Sequence, residues 1–147
     1  MELKKYKLGE FIENYGDGIH GTPKYDTNGD YYFINGNNLL DGKITINDNT
    51  LKVSENEYQK IYRPIINGRT ILISINGTLG RLAIYRGEKI CLGKSACYIN
   101  LKDSKYISFI LYVLKLKEFS IYMNRVAGQS TIKNVSPKQI INYEFFA

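Results

Sequence analysis

The sequence is poor in the residues that build metal and disulfide sites. It has 147 residues, of which two are cysteines, Cys91 and Cys97, and one is a histidine, His20. These residues cannot supply the four ligands of a structural zinc site, and they give no disulfide framework. We therefore expect a reduced, cytoplasmic setting, no metal ion and no other cofactor.

Long hydrophobic runs are also absent. The longest apolar stretch, at 109–114, is far shorter than the roughly 20 residues that a bilayer span requires. No apolar run follows the lysines near Met1, so the pattern of a secretory signal is missing. The sequence predicts no contact with a membrane.

Positive charge is concentrated in the second part of the sequence. The chain has 20 Lys and Arg against 14 Asp and Glu, a net charge of +6. Residues 1–58 hold 6 basic and 10 acidic groups, whereas residues 59–147 hold 14 basic and 4 acidic groups. A basic half on one domain favours an anionic partner, most simply nucleic acid, because Lys and Arg neutralise phosphates. A solvated basic face without a partner is the alternative.

Turn motifs divide the sequence into short extended segments. Asn-Gly pairs begin at positions 28, 35, 67 and 76, and an Asp-Gly pair begins at 41. Such pairs accept a positive φ easily and predict tight reversals of the chain. The apolar and aromatic runs between them predict strands at 31–34, 70–75, 81–85, 89–92 and 96–101.

Helices are predicted mainly in the later part of the chain. Ser54 and Glu57 form a capping-box pattern that begins a short helix ending at Lys60. Apolar residues recur at helical spacing over 104–124 and predict one long helix. Ser followed by Pro at 136–137 is typical of an N-cap and first helical position, and predicts a last helix through 141.

Length and composition are those of one ordinary domain. The sequence is 44% hydrophobic, with 3 prolines and 13 glycines, and no repeat or linker interrupts it. A chain of this length buries a core of its own. We predict a single α+β domain over residues 1–147, with a curled, mostly antiparallel β-sheet and a few helices.

Two glycine-rich patterns suggest nucleotide binding but have the wrong surroundings. Glycines at 16–21 have the spacing of a dinucleotide-binding loop, yet no long strand is predicted before them and Thr22-Pro23 stand where the helix would begin. Gly93-Lys94-Ser95 resembles the end of a P-loop, but Glu88 occupies the position of its first glycine. We interpret both segments as turns.

Catalytic residues are not predicted. Asp30, Asp41 and Lys43 are residue types with which nucleases hold a divalent cation, but 40–44 is better interpreted as a hairpin turn. His20 has no recognisable serine or cysteine partner. Two alternatives remain open beside nucleic-acid recognition. One is a metal-dependent nuclease that uses Asp30, Asp41 and Lys43, and the other is an interaction module whose Tyr-rich loops bind a protein or glycan.

A series of motifs resembles one known family over nearly the whole chain. In order they are KLGE at 7–10, GIHGTP at 18–23 with Tyr25, FINGNNL at 33–39 with GKI at 42–44, NG at 67–68, ILISINGTLG at 71–80, and GQSTIK at 128–133 before Val135-Ser136. The ordered set resembles the target recognition domain of the DNA specificity subunit of type I restriction-modification systems.

The resemblance implies a subunit without catalysis of its own. Such a subunit directs partner methyltransferase and restriction subunits to one half of a bipartite site on double-stranded DNA, and a second recognition domain is a further expected partner. The family normally continues into a proline-containing segment and a spacer helix, whereas this sequence stops at 147. We therefore expect that the chain is one target recognition domain and that the spacer helix is absent from it.

The DNA-contacting residues are predicted from residue type and loop position. Basic side chains set the register of a protein on the phosphates, and the candidates are Arg63, Arg69, Arg81, Arg86, Lys94 and Lys133. Turn residues carry amides, hydroxyls and an amine to base edges, and the candidates are Thr22, Lys24, Asn35, Asn37, Asn38, Asn76, Thr78 and Gln129. We expect the basic second half of the chain to line the DNA.

Overall fold

Eleven strands and four α-helices are formed by residues 2–147, which a computed structural model describes. The strands are β1 (Lys5–Lys7), β2 (Ile12–Asp17), β3 (Tyr31–Ile34), β4 (Leu39–Leu40), β5 (Lys43–Ile44), β6 (Lys52–Val53), β7 (Thr70–Ser74), β8 (Leu82–Ile84), β9 (Ile90–Leu92), β10 (Ala96–Leu101) and β11 (Glu144–Phe146). The α-helices are α1 (Glu55–Lys60), α2 (Ile107–Lys115), α3 (Lys117–Val126) and α4 (Pro137–Ile141).

A four-stranded antiparallel sheet lies at the centre of the fold. Its strand order is β2-β10-β7-β8, so β10 pairs along both edges. Every residue of β7 and β10 is buried. Side chains of a strand point alternately to its two faces, and here both faces are covered. This explains why these strands have nearly continuous apolar sequences instead of an alternation of apolar and polar residues.

Helices α2, α3 and α4 cover one face of this sheet. Ile73 and Ile99 of the sheet share a buried cluster with Ile110 of α2, Phe119 of α3 and Ile140 of α4. The two-stranded sheet of β1 and β11 adds Phe145 to the same cluster. Burial of large apolar side chains stabilises the fold by roughly 1.5–3 kcal/mol for each.

A second sheet covers the other face. Its strand order is β6-β3-β9, in which β3 and β9 are parallel. Leu72 and Tyr98 of the central sheet pack here with Ile34 and Leu92. The predicted α+β class, with mostly antiparallel strands and a few helices, is confirmed. The strands are distributed over several small sheets, because β3 and β9 pack on the face of the central sheet and do not extend its edge.

The two short helices agree with their predicted bounds. Ser54 Oγ accepts a hydrogen bond from Glu57 N at 3.2 Å, which caps α1. Ser136 Oγ accepts one from Gln139 N at 3.1 Å, and Gln139 Oε1 accepts one from Ser136 N at 2.9 Å, so α4 has a full capping box. The capping box predicted for α1 lacks its second hydrogen bond. The Glu57 carboxylate accepts a hydrogen bond from the backbone N–H of Lys24 at 2.8 Å.

The prediction of one long helix over 104–124 is wrong. A 3₁₀ turn (Ser104–Tyr106) precedes α2, and Leu116 has an extended ψ of 149° that separates α2 from α3. The physical reason is burial: at about 100° per residue, Phe119 would lie on the opposite side of a continuous helix from Ile110. The break at Leu116 turns both residues into the same core, where Ile110 is 0% and Phe119 is 1% exposed.

The predicted tight turns form in most places. Asp41 and Gly42 have φ values of 52° and 81° in the turn between β4 and β5, and Gly68 and Gly77 also have positive φ. The pair at 28–29 turns without a positive φ, and Asn35-Gly36 begins a 3₁₀ turn (Gly36–Asn38). These two Asn-Gly pairs therefore form turns without using a positive φ.

Both cysteines are buried free thiols. Burial raises the pKa of Cys91 to about 12 and raises the pKa of Cys97 further. Among residues 2–147, no helix is both long enough and apolar enough to cross a membrane.

A buried polar network fixes the segment before β7 to the central sheet. Asn100 is 0% exposed. Its Oδ1 accepts a hydrogen bond from Thr70 Oγ1 at 2.5 Å, and its Nδ2 donates to Asn14 Oδ1 at 2.7 Å and to Pro64 O at 2.6 Å. Thr70 Oγ1 in turn accepts from Ile66 N at 2.7 Å. Buried polar groups satisfied in this way rigidify a core, and they destabilise it when one partner is removed.

We predict that Asn100→Leu lowers the free energy of unfolding by about 2–4 kcal/mol, because the Thr70 hydroxyl and the Pro64 carbonyl lose their partner. Urea unfolding measures the change. Asn14→Ala, at an exposed position of the same network, is the control and has a smaller effect. Equal stability of Asn100→Leu and the unaltered chain would contradict this role of the network.

Candidate nucleic-acid interface

Six strand termini meet at one end of the molecule. The last residues of β2 and β7, Asp17 and Ser74, lie beside the first residues of β10, and β8 begins next to them. The parallel strands β3 and β9 also end here, since Gly93 N donates to Ile34 O at 2.8 Å. We call this the cleft end of the sheet. The other end, where β7 begins and β8 ends, is the opposite end.

A polar cleft opens at the cleft end. It has a volume of about 300 Å³ and is lined by Asn35, Asn37, Asn76, Thr78 and Ser95. We call it the asparagine cleft. Four of these five residues were predicted as base contacts, from two widely separated segments of the sequence, and Ser95 comes from a third. The fold brings them together because β3, β7 and the turn before β10 all reach this end.

Two further clefts adjoin the asparagine cleft. One, of about 310 Å³, shares Asn35 and Asn37 with it and adds Tyr25 and Asn38. The other, of about 370 Å³, shares Asn76 and is lined also by Asp17, His20, Lys94, Asn134 and the start of α4. The three clefts form one continuous polar surface.

The 35–38 turn is held by side-chain hydrogen bonds. Ser95 Oγ accepts from Gly36 N at 2.8 Å and donates to Asn35 Oδ1 at 3.0 Å. Asn38 Oδ1 accepts from Asn35 N at 2.9 Å, and Asn38 Nδ2 donates to Thr45 O at 3.1 Å. The Asn38 amide is therefore occupied in holding the turn, whereas the Asn37 side chain is exposed.

The 76–80 loop is fixed by a serine below it. Ser74 Oγ donates to Thr78 O at 2.7 Å and accepts from Arg81 N at 2.8 Å. Gly77 N donates to Lys133 O at 2.9 Å, which places the predicted residue Lys133 beside the asparagine cleft, and Gln129 is in the turn that begins the same loop. Both side chains are exposed, and Lys133 Nζ donates to Asn124 Oδ1 at 2.7 Å.

The 18–25 loop crosses the same end of the molecule. Its start is attached to the sheet through Gly18 N to Ala96 O at 3.1 Å and Ile19 N to Leu92 O at 3.0 Å. Its end is attached to α1 through the bond from Lys24 N to Glu57. Thr22 and Lys24 are exposed between these anchors. Strand β2 runs into the glycine pattern at 16–21 and ends at Asp17, and no helix follows the pattern.

Besides Lys24 and Lys133, three other predicted arginine and lysine residues lie at or beside the cleft end. Arg81 Nη1 donates to Asn37 O at 3.5 Å, and Lys94 is exposed in the turn before β10. Arg63 Nε donates to Asp17 O at 2.7 Å. These side chains border the polar surface formed by the clefts.

Two other predicted arginines lie at the opposite end. Arg69 Nε donates to Leu101 O at 3.0 Å, and its guanidinium forms an ion pair with Glu13. Arg86 follows β8, and its Nη1 donates to Gly42 O at 3.4 Å. The predicted residues are thus divided between two ends of the sheet. The cleft end draws on both halves of the sequence and not on the basic half alone.

The alternatives receive little support from the geometry. Asp41 is in the hairpin turn between β4 and β5, Asp30 precedes β3, and no three His, Cys, Asp or Glu side chains of residues 2–147 are grouped as a metal site. Two of the tyrosines pack on each other, since the rings of Tyr31 and Tyr58 stack with centroids 3.8 Å apart. A hydrogen bond to the Glu55 carboxylate raises the pKa of Tyr31 to about 12.

A match to a family model favours DNA recognition over the two alternatives. The type I restriction modification DNA specificity domain matches residues 1–145. The chain belongs to this family. A specificity domain recognises a DNA target within a restriction-modification complex, and the prediction of a specificity domain without catalysis of its own is confirmed at the level of the family. No curated protein matches the chain.

Solved structures of type I systems share the fold of this specificity domain. The S subunit from M. genitalium matches at a TM-score of 0.62 and 17% identity, over 100% of this chain and 34% of that one. The HsdS subunit from Thermoanaerobacter tengcongensis matches at 0.67 and 15% identity, over 98% and 32%. A chain from a study of complex assembly and conformational transition of the type I R-M system matches at 0.66 and 17%, over 98% and 33%. The specificity domain spans about one third of each.

Sequence reasoning missed some residues of this surface. Ser95 was considered only as part of a P-loop pattern, and His20 was considered as a metal ligand, as a catalytic residue and within the motif at 18–23, but not as a DNA contact. Asn134 was not considered. Their signal is the position next to a strand terminus, which becomes informative only when the strand order is known.

We predict that Gly18→Ala destabilises the domain by about 1–3 kcal/mol or more. A Cβ at Gly18 would lie 2.2 Å from Gly93 O and 2.3 Å from the Leu92 backbone, so the 18–25 loop would be pushed from the sheet. Gly21→Ala is a matched control, because a Cβ there has no neighbour within 4 Å. Thermal unfolding measures both. A similar melting temperature for the two variants would contradict the close packing of this loop.

Proposed function

We propose that this specificity domain recognises one half of a bipartite site on double-stranded DNA through the asparagine cleft and the loops beside it. The observation that carries the proposal is the convergence of exposed and half-buried amide and hydroxyl side chains from separate loops on one end of a rigid sheet. Loops on a rigid scaffold are where binding residues are usually found.

Base edges are recognised by side chains that both donate and accept. The Asn37 amide can pair with the N6 and N7 atoms of adenine in the major groove, and the Thr78 hydroxyl can pair with any base. The Asn76 Nδ2 donates one hydrogen bond to Asn134 Oδ1 at 3.3 Å, which leaves its second N–H and its Oδ1 for a base. Asn38 and Ser95 hold the turn that presents Asn37. We therefore propose Asn37, Asn76 and Thr78 as base contacts and Asn38 as a positioning residue.

Phosphates are contacted by the cations around the clefts. Lys24, Arg81, Lys94 and Lys133 lie on the segments beside the clefts. A duplex whose base edges face the clefts therefore has its flanking phosphates near positive charge. Such contacts set the register of the domain without reading sequence. Arg69 and Arg86 lie at the opposite end of the sheet, away from the clefts, and remain phosphate contacts predicted from sequence.

The domain's partners follow from its family. We propose that it acts in the cytoplasm with methyltransferase and restriction subunits, that it is one target recognition domain, and that a second recognition domain reads the other half-site. The relatives of known structure are about three times as long as this chain, which leaves room in them for a further domain of this size.

We predict that selection on random duplexes with the full chain and its methyltransferase partner returns a short half-motif. Asn37→Ala or Asn76→Ala each weakens the preference at one base pair by about 1–3 kcal/mol. Asn56→Ala, an exposed asparagine on α1, is the control and leaves the motif unchanged. Absence of any enriched motif would refute the proposed function.

We also predict a change in salt dependence for Lys94→Ala. Loss of one phosphate contact weakens binding to all sequences and lowers the slope of log affinity against log salt by about 1. Lys102→Ala, at the opposite end of the sheet, serves as the control and leaves the slope unaltered. Equal slopes for Lys94→Ala and the unaltered chain would place the DNA elsewhere.

A further inference from the structure

The side chains of Asp17 and His20 lie on the proposed DNA surface and have no part in the DNA contacts proposed above. Asp17 Oδ2 and His20 Nε2 are 2.6 Å apart. The His20 side chain is 72% exposed and that of Asp17 is 30% exposed. Both line the cleft that shares Asn76 with the asparagine cleft. We propose that this pair reads one base pair, with His20 as a specificity-determining residue, an assignment that rests on the proposed function.

The position of His20 is fixed before any DNA arrives. Gly18 and Ile19 are bonded to the sheet just before it, and Pro23 is buried just after it. Asp17 is itself the last residue of β2 and pairs with Cys97 of β10. A side chain on an anchored loop, with its ring held by a carboxylate, loses little conformational freedom when it binds a base.

The carboxylate selects the tautomer of the ring. An ionised Asp accepts hydrogen bonds and cannot donate, so His20 Nε2 carries the proton that is donated to it. The nitrogen that bonds to the carboxylate sets the state of the other one. In the neutral ring, Nδ1 is then an acceptor that is free to meet a donor from outside.

The charge of the pair favours a base edge over a phosphate. Asp17 is the only carboxylate among the residues that line this cleft, in the part of the chain that the structure describes. Its negative charge repels a phosphate, whereas Lys94 in the same cleft attracts one. Asp17 and His20 Nδ1 together offer acceptors only. Adenine N6 and cytosine N4 are the donors exposed in the major groove, while guanine and thymine present acceptors at the matching positions.

The test is selection on random duplexes with the full chain and its methyltransferase partner, for the unaltered chain, His20→Ala and Asp17→Asn. We expect the unaltered chain to prefer adenine or cytosine at one position. His20→Ala reduces that preference about ten-fold. Asp17→Asn reduces the preference at the same position, because an amide can donate to Nε2 and the ring proton is then no longer held on that nitrogen. The substitution also makes the protein more positive, so a loss of preference cannot come from a loss of positive charge. Thermal unfolding of both variants checks that the fold is retained.

The other outcomes overturn the assignment. A uniform loss of affinity for all sequences in His20→Ala, with a smaller salt slope, means that His20 contacts a phosphate and not a base. Preference that survives both substitutions, while Asn37→Ala still alters the motif, overturns the role of the pair and leaves the proposed function intact. Failure of the unaltered chain to select any motif overturns both.

Discussion

Strand β10 pairs along both of its edges and is buried on both of its faces, and every layer of the molecule is positioned against it. The helices pack on Cys97 and Ile99, and the second sheet packs on Ala96 and Tyr98. The turn that leads into β10 contributes Lys94 and Ser95 to the clefts. A surface built on this strand is rigid because the strand cannot shift without disturbing both cores.

Local sequence patterns predicted the parts of the fold that local interactions decide. The N-caps Ser54 and Ser136 set the two short helices, and the strand at 96–101 follows from its apolar run. The patterns failed where packing decides. Apolar spacing could not reveal the break at Leu116, which exists because two helix segments must face one core. Nor could it reveal that β3 pairs in parallel with β9.

The candidate site was predictable by residue type but not by location. Asn35, Asn37, Asn76 and Thr78 were named from turn chemistry, and they line one cleft. Residue type alone could not separate the free amide of Asn37 from the occupied amide of Asn38. It also grouped Arg81 with Arg69, although the strand order places these residues at opposite ends of the sheet. Such distinctions require the hydrogen-bond partners of each side chain and the strand order, which residue type does not give.

Hydrogen exchange of the full chain with and without its selected duplex tests whether DNA lies on the cleft end of the sheet, because exchange reports protection along the whole backbone. We predict that bound DNA slows exchange at 19–25, 35–38, 76–78 and 93–95. These segments form the cleft end of the sheet. Protection at 67–69 and 86–88, at the opposite end, with none in the cleft segments, would contradict it.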